Sequence, residues 1–142
     1  MTEAKIVRDI VAFLKSHLTG VVLKHNDMRT AGIPDLSVTT GGSTWWFEVK
    51  FLPAWEDRCK SARLFSRLQL EMMRKLDNSG RARYLIVNEA SSYYQRRLSV
   101  VTPQEVKYRL DTKSHLFFSP VGGNSADWKA DLAALVSFIR LN

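Results

Sequence analysis

Apolar residues recur at helical spacing through Val7, Ile10, Val11, Leu14 and Leu18, which predicts an amphipathic helix over residues 3–18. Val21-Val22-Leu23-Lys24-His25 reads as a first strand, and residues 26–32 as the loop that follows it. Two alternating apolar runs then flank Thr40-Gly41-Gly42-Ser43, a two-residue hairpin signal. With Gly41 and Gly42 as the loop, Val38 faces Trp45, Leu36 faces Phe47 and Asp35 faces Glu48. Side chains alternate along a strand, so Leu36, Val38, Trp45, Phe47, Val49 and Phe51 share the buried face. Asp35, Trp46, Glu48 and Lys50 share the other.

Beyond Phe51 a mixed-charge loop runs through Trp55 to Lys60, followed by a predicted helix over about residues 61–77 that ends at Asn78-Ser79-Gly80. Its apolar stripe is Leu64, Leu68, Met72 and Leu76. Tyr84-Leu85-Ile86-Val87 is a buried strand expected beside the hairpin, and Leu98 to Val101 a further strand. Thr102-Pro103-Gln104-Glu105 is a capping box with proline at the first helical position, opening a short helix to Leu110. Trp128, Leu132, Leu135, Val136 and Ile139 mark a closing helix over residues 125–141. The order helix, three strands, helix, strand gives an α/β core over about residues 3–88, a mixed central sheet flanked by helices. Residues 96–142 form a C-terminal strand and helix extension, read as packing or assembly.

The chain has 142 residues, enough for a single domain with a core of its own. One cysteine, Cys59, excludes an internal disulfide, and no Cys/His spacing suits zinc. No apolar run approaches a membrane span and no leader pattern opens the chain, so a cytoplasmic setting with no membrane partner is expected. Rossmann and P-loop glycine patterns are absent, which argues against a nucleotide cofactor. The formal net charge is +7, and the excess is concentrated in residues 51–83 and 96–115. Clustered positive charge suits a polyanion, and nucleic acid is the natural partner. Candidate contacts are Arg29, Thr30, Arg58, Lys60, Arg63, Arg67, Arg96 and Arg97. Trp46, Trp55, Tyr93 and Tyr94 are candidates for stacking on unpaired bases, although core or interface packing is the commoner use of such residues.

Two carboxylates directly opposite on paired strands have Cβ atoms about 4.5–5.5 Å apart and repel each other, which a fold has little reason to accept without a cation between them. Asp35 and Glu48 are so placed, and magnesium, a hard ion that takes one or two carboxylates plus water and phosphate oxygens, is the natural candidate. Lys50 lies diagonal to Asp35, where an ammonium can orient an attacking water or offset charge on a phosphate. Glu3 begins the apolar stripe of its helix and is a candidate outer ligand, against the alternative that it only complements the helix dipole. Gln69, next to the stripe of its helix, is a candidate partner for the site strand.

Gly32-Ile33-Pro34-Asp35, Glu48-Val49-Lys50, Gln69 and the helix with Glu3 together resemble the PD-(D/E)XK nuclease superfamily, and within it the VRR-NUC and archaeal Holliday-junction-resolvase branch, over roughly residues 3–88. The resemblance implies a restriction-endonuclease-like core. It implies that Asp35 and Glu48 bind magnesium, with manganese able to substitute, that Lys50 positions the attacking water, and that Glu3 and Gln69 complete the site. The expected function is a magnesium-dependent endonuclease acting on DNA, with a branched or junction substrate first. Symmetric cutting of two strands would call for a homodimer. The segment between Lys50 and Gln69 is longer than in compact members, which points to an unusual substrate choice. Two other readings stay open: an inactive nucleic-acid-binding module of the same fold, and a restriction-type enzyme reading a short sequence.

Overall fold

A computed structural model describes residues 3–25, 32–53, 64–89 and 96–142. It is an α/β structure in which helices cover both faces of a five-stranded mixed sheet. Helix α1 spans Glu3–His17, and strands β1, β2 and β3 span Val21–Lys24, Leu36–Thr40 and Ser43–Pro53. Helix α2 spans Arg67–Asp77, β4 Ala82–Glu89, β5 Arg96–Val101, α3 Pro103–Asp111 and α4 Trp128–Leu141. Strand order follows chain order, β1 to β5. Every neighbouring pair is antiparallel except β3 and β4, which are parallel and joined through α2.

The hairpin has the expected register, with Leu36 opposite Phe47 and Val38 opposite Trp45. Gly41 and Gly42 both take positive φ, +58° and +79°, the backbone that a tight turn between twisted strands demands and that glycine adopts without steric cost. Leu36, Val38, Trp45, Phe47 and Val49 point to the face covered by α1 and α4, where they meet Ile6, Ile10, Leu14, Leu132, Leu135 and Ile139. Each such side chain contributes about 1.5–3 kcal/mol by leaving water. The opposite face carries Tyr84, Ile86 and Val101 and packs on Phe65, Met73, Val106 and Leu116.

Three elements differ in detail from the sequence expectation. The buried residue of α2 is Met73, while Leu68 and Leu64 are exposed. The inward stripe is therefore Gln69, Leu70, Met73 and Leu76, one step round from the predicted Leu64, Leu68, Met72 and Leu76. Helix α2 starts at Arg67 because Ser66 caps it, accepting from the Gln69 amide at 3.2 Å. Helix α4 starts at Trp128 because Asp127 caps it, accepting from the Ala130 amide at 2.9 Å. Strand β5 and α4, expected as an extension, are integral. β5 pairs with β4 along its length, and α4 lies in the same hydrophobic cluster as α1.

Their junction is tied by Asp131, which is fully buried in the first turn of α4. Its carboxylate accepts from Arg97 Nε and Nη2 at 2.8 and 2.9 Å, from the Leu98 amide at 2.8 Å and from the Gly122 amide at 2.9 Å. Among the described residues no helix is long and apolar enough to cross a membrane.

Candidate active site

The site begins at a close approach. Gly32 has φ +87°, and a Cβ there would lie 2.9 Å from the carbonyl oxygen of Leu68, so only glycine lets this turn meet the first turn of α2. Pro34, buried, limits the backbone just before Asp35. The Asp35 carbonyl accepts from the His25 amide at 2.8 Å, which extends the β1–β2 pairing and puts His25, Asp35 and Glu48 in one row across three strands.

Asp35 and Glu48 clasp each other's strands. The Asp35 amide donates to Glu48 Oε1 at 3.1 Å, and the Val49 amide donates to Asp35 Oδ2 at 2.8 Å. One oxygen of each carboxylate is thereby held by backbone, which fixes where the other points. Glu48 is 2% exposed and Lys50 5%. Lys50 Nζ lies 3.3 Å from Glu48 Oε2, donates to Gln69 Oε1 at 2.9 Å, and stands 5.8 Å from the centre of the Phe65 ring. Gln69 reaches it from α2 because the helix turns that residue inward. Glu3 enters from the start of α1, its Oε2 accepting from the Phe51 amide at 3.2 Å. The structure thus brings Glu3, Asp35, Glu48, Lys50 and Gln69 together.

Burial and crowding of like charge decide the protonation of the acids. Desolvation, then the negative charge of Asp35, pushes Glu48 up to about 8 against the opposing pull of Lys50. Desolvation also raises Glu3, which its hydrogen bond from Phe51 and the charge of Lys50 partly offset. Burial and the neighbouring Asp35 thus favour the neutral form of Glu48 when no divalent cation is bound.

A divalent cation fits this chemistry in donor type and charge. Asp35 and Glu48 each have one oxygen held by backbone and one that could serve as a hard donor, that of Glu48 lying 3.3 Å from Lys50 Nζ, and a cation would relieve the repulsion between them. The donor set is two carboxylates, since among the described residues no three His, Cys, Asp or Glu side chains are grouped to hold a metal. Glu3 is occupied by the Phe51 amide at the border of the site.

Two residues of the site carried no sequence signal of their own. Phe65 covers Lys50 and meets Tyr84 edge on at 5.6 Å between ring centres. Tyr84 is opposite Glu48 in the parallel β3–β4 register, a register set through α2 and not by any turn readable in the sequence. His25 also joins the edge of the site, its Nε2 within 2.8 Å of Ser37 Oγ and its ring stacked on Trp46 at 5.3 Å.

The candidate phosphate contacts divide. Arg29, Thr30, Arg58, Lys60 and Arg63 lie outside the described residues, as do Trp55, Tyr93 and Tyr94. Arg67 opens α2 and is exposed, with a surface ion pair to Glu71 at 3.6 Å. Such a pair holds it weakly. Arg97 is engaged by Asp131 and by the Gly123 and Asn124 carbonyls, so its guanidinium joins β5 to α4. Arg96 stands over the Trp128 ring at 4.9 Å and 3.5 Å from Asp9, packed between α1 and α4. The sequence offered both as nucleic-acid contacts, whereas the structure engages them within the fold.

No family model matches this chain, and no curated protein sequence matches it.

Proposed function

We propose that the protein is a magnesium-dependent endonuclease that hydrolyses DNA phosphodiester bonds, built on a restriction-endonuclease-like core of the PD-(D/E)XK type. The observation that carries this reading is the reciprocal clasp of Asp35 and Glu48 with Lys50 and Gln69 beside it. A buried Glu48 facing Asp35, next to a lysine that a glutamine holds in place, is the kind of perturbed ionisable cluster that gathers at functional sites. Asp35 and Glu48 would hold a divalent cation, which would supply Lewis acidity toward a phosphate and its attacking water. Lys50, fixed by Gln69 and Glu48, offers its ammonium to the negative charge that grows on the phosphate under attack. Glu3 holds the Phe51 amide and with it the end of β3 that carries Lys50. Branched or junction DNA is the preferred substrate, because backbone position and shape, which exposed cations such as Arg67 can follow, suffice to recognise it.

A non-catalytic module that binds nucleic acid is the second reading, and the raised pKa of Glu48 favours it. A proton on Glu48 relieves the repulsion, so the acids persist at little cost without metal. Cleavage of end-labelled four-way junction, flap, single-stranded and linear duplex DNA, with magnesium or with chelator, decides between them. Magnesium-dependent cutting by the native protein is expected, falling at least a hundredfold, on the order expected for loss of a group that stabilises transition-state charge, in Asp35→Asn. Binding without cutting by both proteins would leave the module.

A further inference from the structure

Tyr84 is fully buried on the face that carries Glu48 and Lys50, directly opposite Glu48 in the β3–β4 register. Among the described residues its hydroxyl has no hydrogen-bond partner. A hydroxyl hidden from water without a partner is unfavourable, and packing gives no reason for it. The ring alone makes the edge contact with Phe65 and fills the space between Phe65 and the sheet, and phenylalanine would do both. Burial, and then the charge of Glu48, raises the phenol above its ordinary value, so the group remains a protonated donor. A donor is useful only to an acceptor. The nearest carboxylate across the sheet is that of Glu48, its direct partner in the β3–β4 register.

We propose that Tyr84 is a positioning residue whose hydroxyl donates to the Glu48 carboxylate in the metal-loaded site and holds it in its ligating orientation. Carboxylates that bind metal are commonly steered by an outer hydrogen bond of this kind. The inference rests on the nuclease reading, in that it takes Glu48 to be a metal ligand, and it adds a residue that the acidic motif does not contain. It also accounts for a tyrosine where the core alone would take phenylalanine.

Tyr84→Phe tests it, with magnesium and manganese binding followed by calorimetry and by the metal-induced rise in melting temperature, neither of which needs turnover. In chelator the variant is expected to melt at or above the native temperature, because it loses an unpartnered hydroxyl. With metal, its Kd is expected to rise about ten- to a hundredfold, the usual effect of removing an outer-shell partner. Native affinity in Tyr84→Phe, with binding still lost in Asp35→Asn, would overturn the role of Tyr84 and leave the metal site standing. A variant that unfolds or melts lower in chelator would overturn it too, by showing that the hydroxyl supports the fold itself. Absence of Asp35-dependent metal binding in the native protein would overturn the nuclease reading, and this inference with it.

Discussion

Glu48 couples the protonation of a single residue to the stability of the chain. Its folded pKa lies near 8, above the ordinary 4.5. Between those values the folded state holds a proton that the unfolded state has released. The contribution of Glu48 to stability without metal is therefore full below pH 4.5, declines as pH rises toward 8, and levels off above it. Urea denaturation in chelator across this range is expected to show that decline in the native protein and a flatter profile in Glu48→Gln. Magnesium should reverse the trend, since it binds the ionised acid and competes with the proton. Asp131 represents the opposite case, a buried acid whose partners are all present. Asp131→Ala would leave Arg97 and two backbone amides without their acceptor, with an expected loss of about 3 kcal/mol, measured by the same denaturation.

Among the elements, the contact between the Gly32 turn and α2 matters most to the site. It sets α2 against the sheet so that Gln69 faces Lys50. Gly32→Ala combines an unfavourable φ with a collision at the Leu68 carbonyl, and should cost about 1–3 kcal/mol. Cleavage should fall by more than the folded fraction does, because the shift moves Asp35 and Gln69 apart. The hairpin was legible in the sequence for a local reason: two glycines fix the turn, and the turn fixes every partner on β2 and β3. The helices were legible in number and at their C-terminal ends, but α2 and α4 begin later than expected, at Arg67 and Trp128, and the inward face of α2 is displaced by one position. Leu64 and Leu68 dominate its hydrophobic pattern, yet the turn and the sheet cover Gln69 and Met73. Gln69 was nonetheless legible as a polar residue beside that stripe in need of a partner, and it is the one that touches Lys50. Tyr84 was out of reach, since parallel register depends on how the intervening helix packs.

For the whole molecule, the division of labour lies across the sheet. The face under α1 and α4 is apolar almost throughout, while the face under α2 and α3 mixes apolar contacts with Glu48, Lys50 and Ser99. Two arginines of the basic 96–115 segment, Arg96 and Arg97, are drawn into packing around α4. Among the described residues, Arg67 remains the exposed candidate beside the site. Leu135→Ala, on the opposite face of the sheet from Glu48 and Lys50, is expected to cost about 2–5 kcal/mol through lost burial and the cavity left behind. It should lower the melting temperature while leaving cleavage per folded molecule unchanged.

The first and last described helices lie on the same face of the sheet, and this placement imposes an order on biosynthesis. A ribosome delivers α1 and the hairpin early, at about 5–20 residues per second. Ile10, Leu14 and Phe47 must then wait for Leu132, Leu135 and Ile139 before their shared core can close. Until then a nascent chain exposes a wide apolar sheet, the kind of surface that chaperones bind, and its acidic residues have no settled scaffold. Closure of the core shared by α1 and the hairpin is in this sense a late event, timed by the synthesis of Trp128–Leu141.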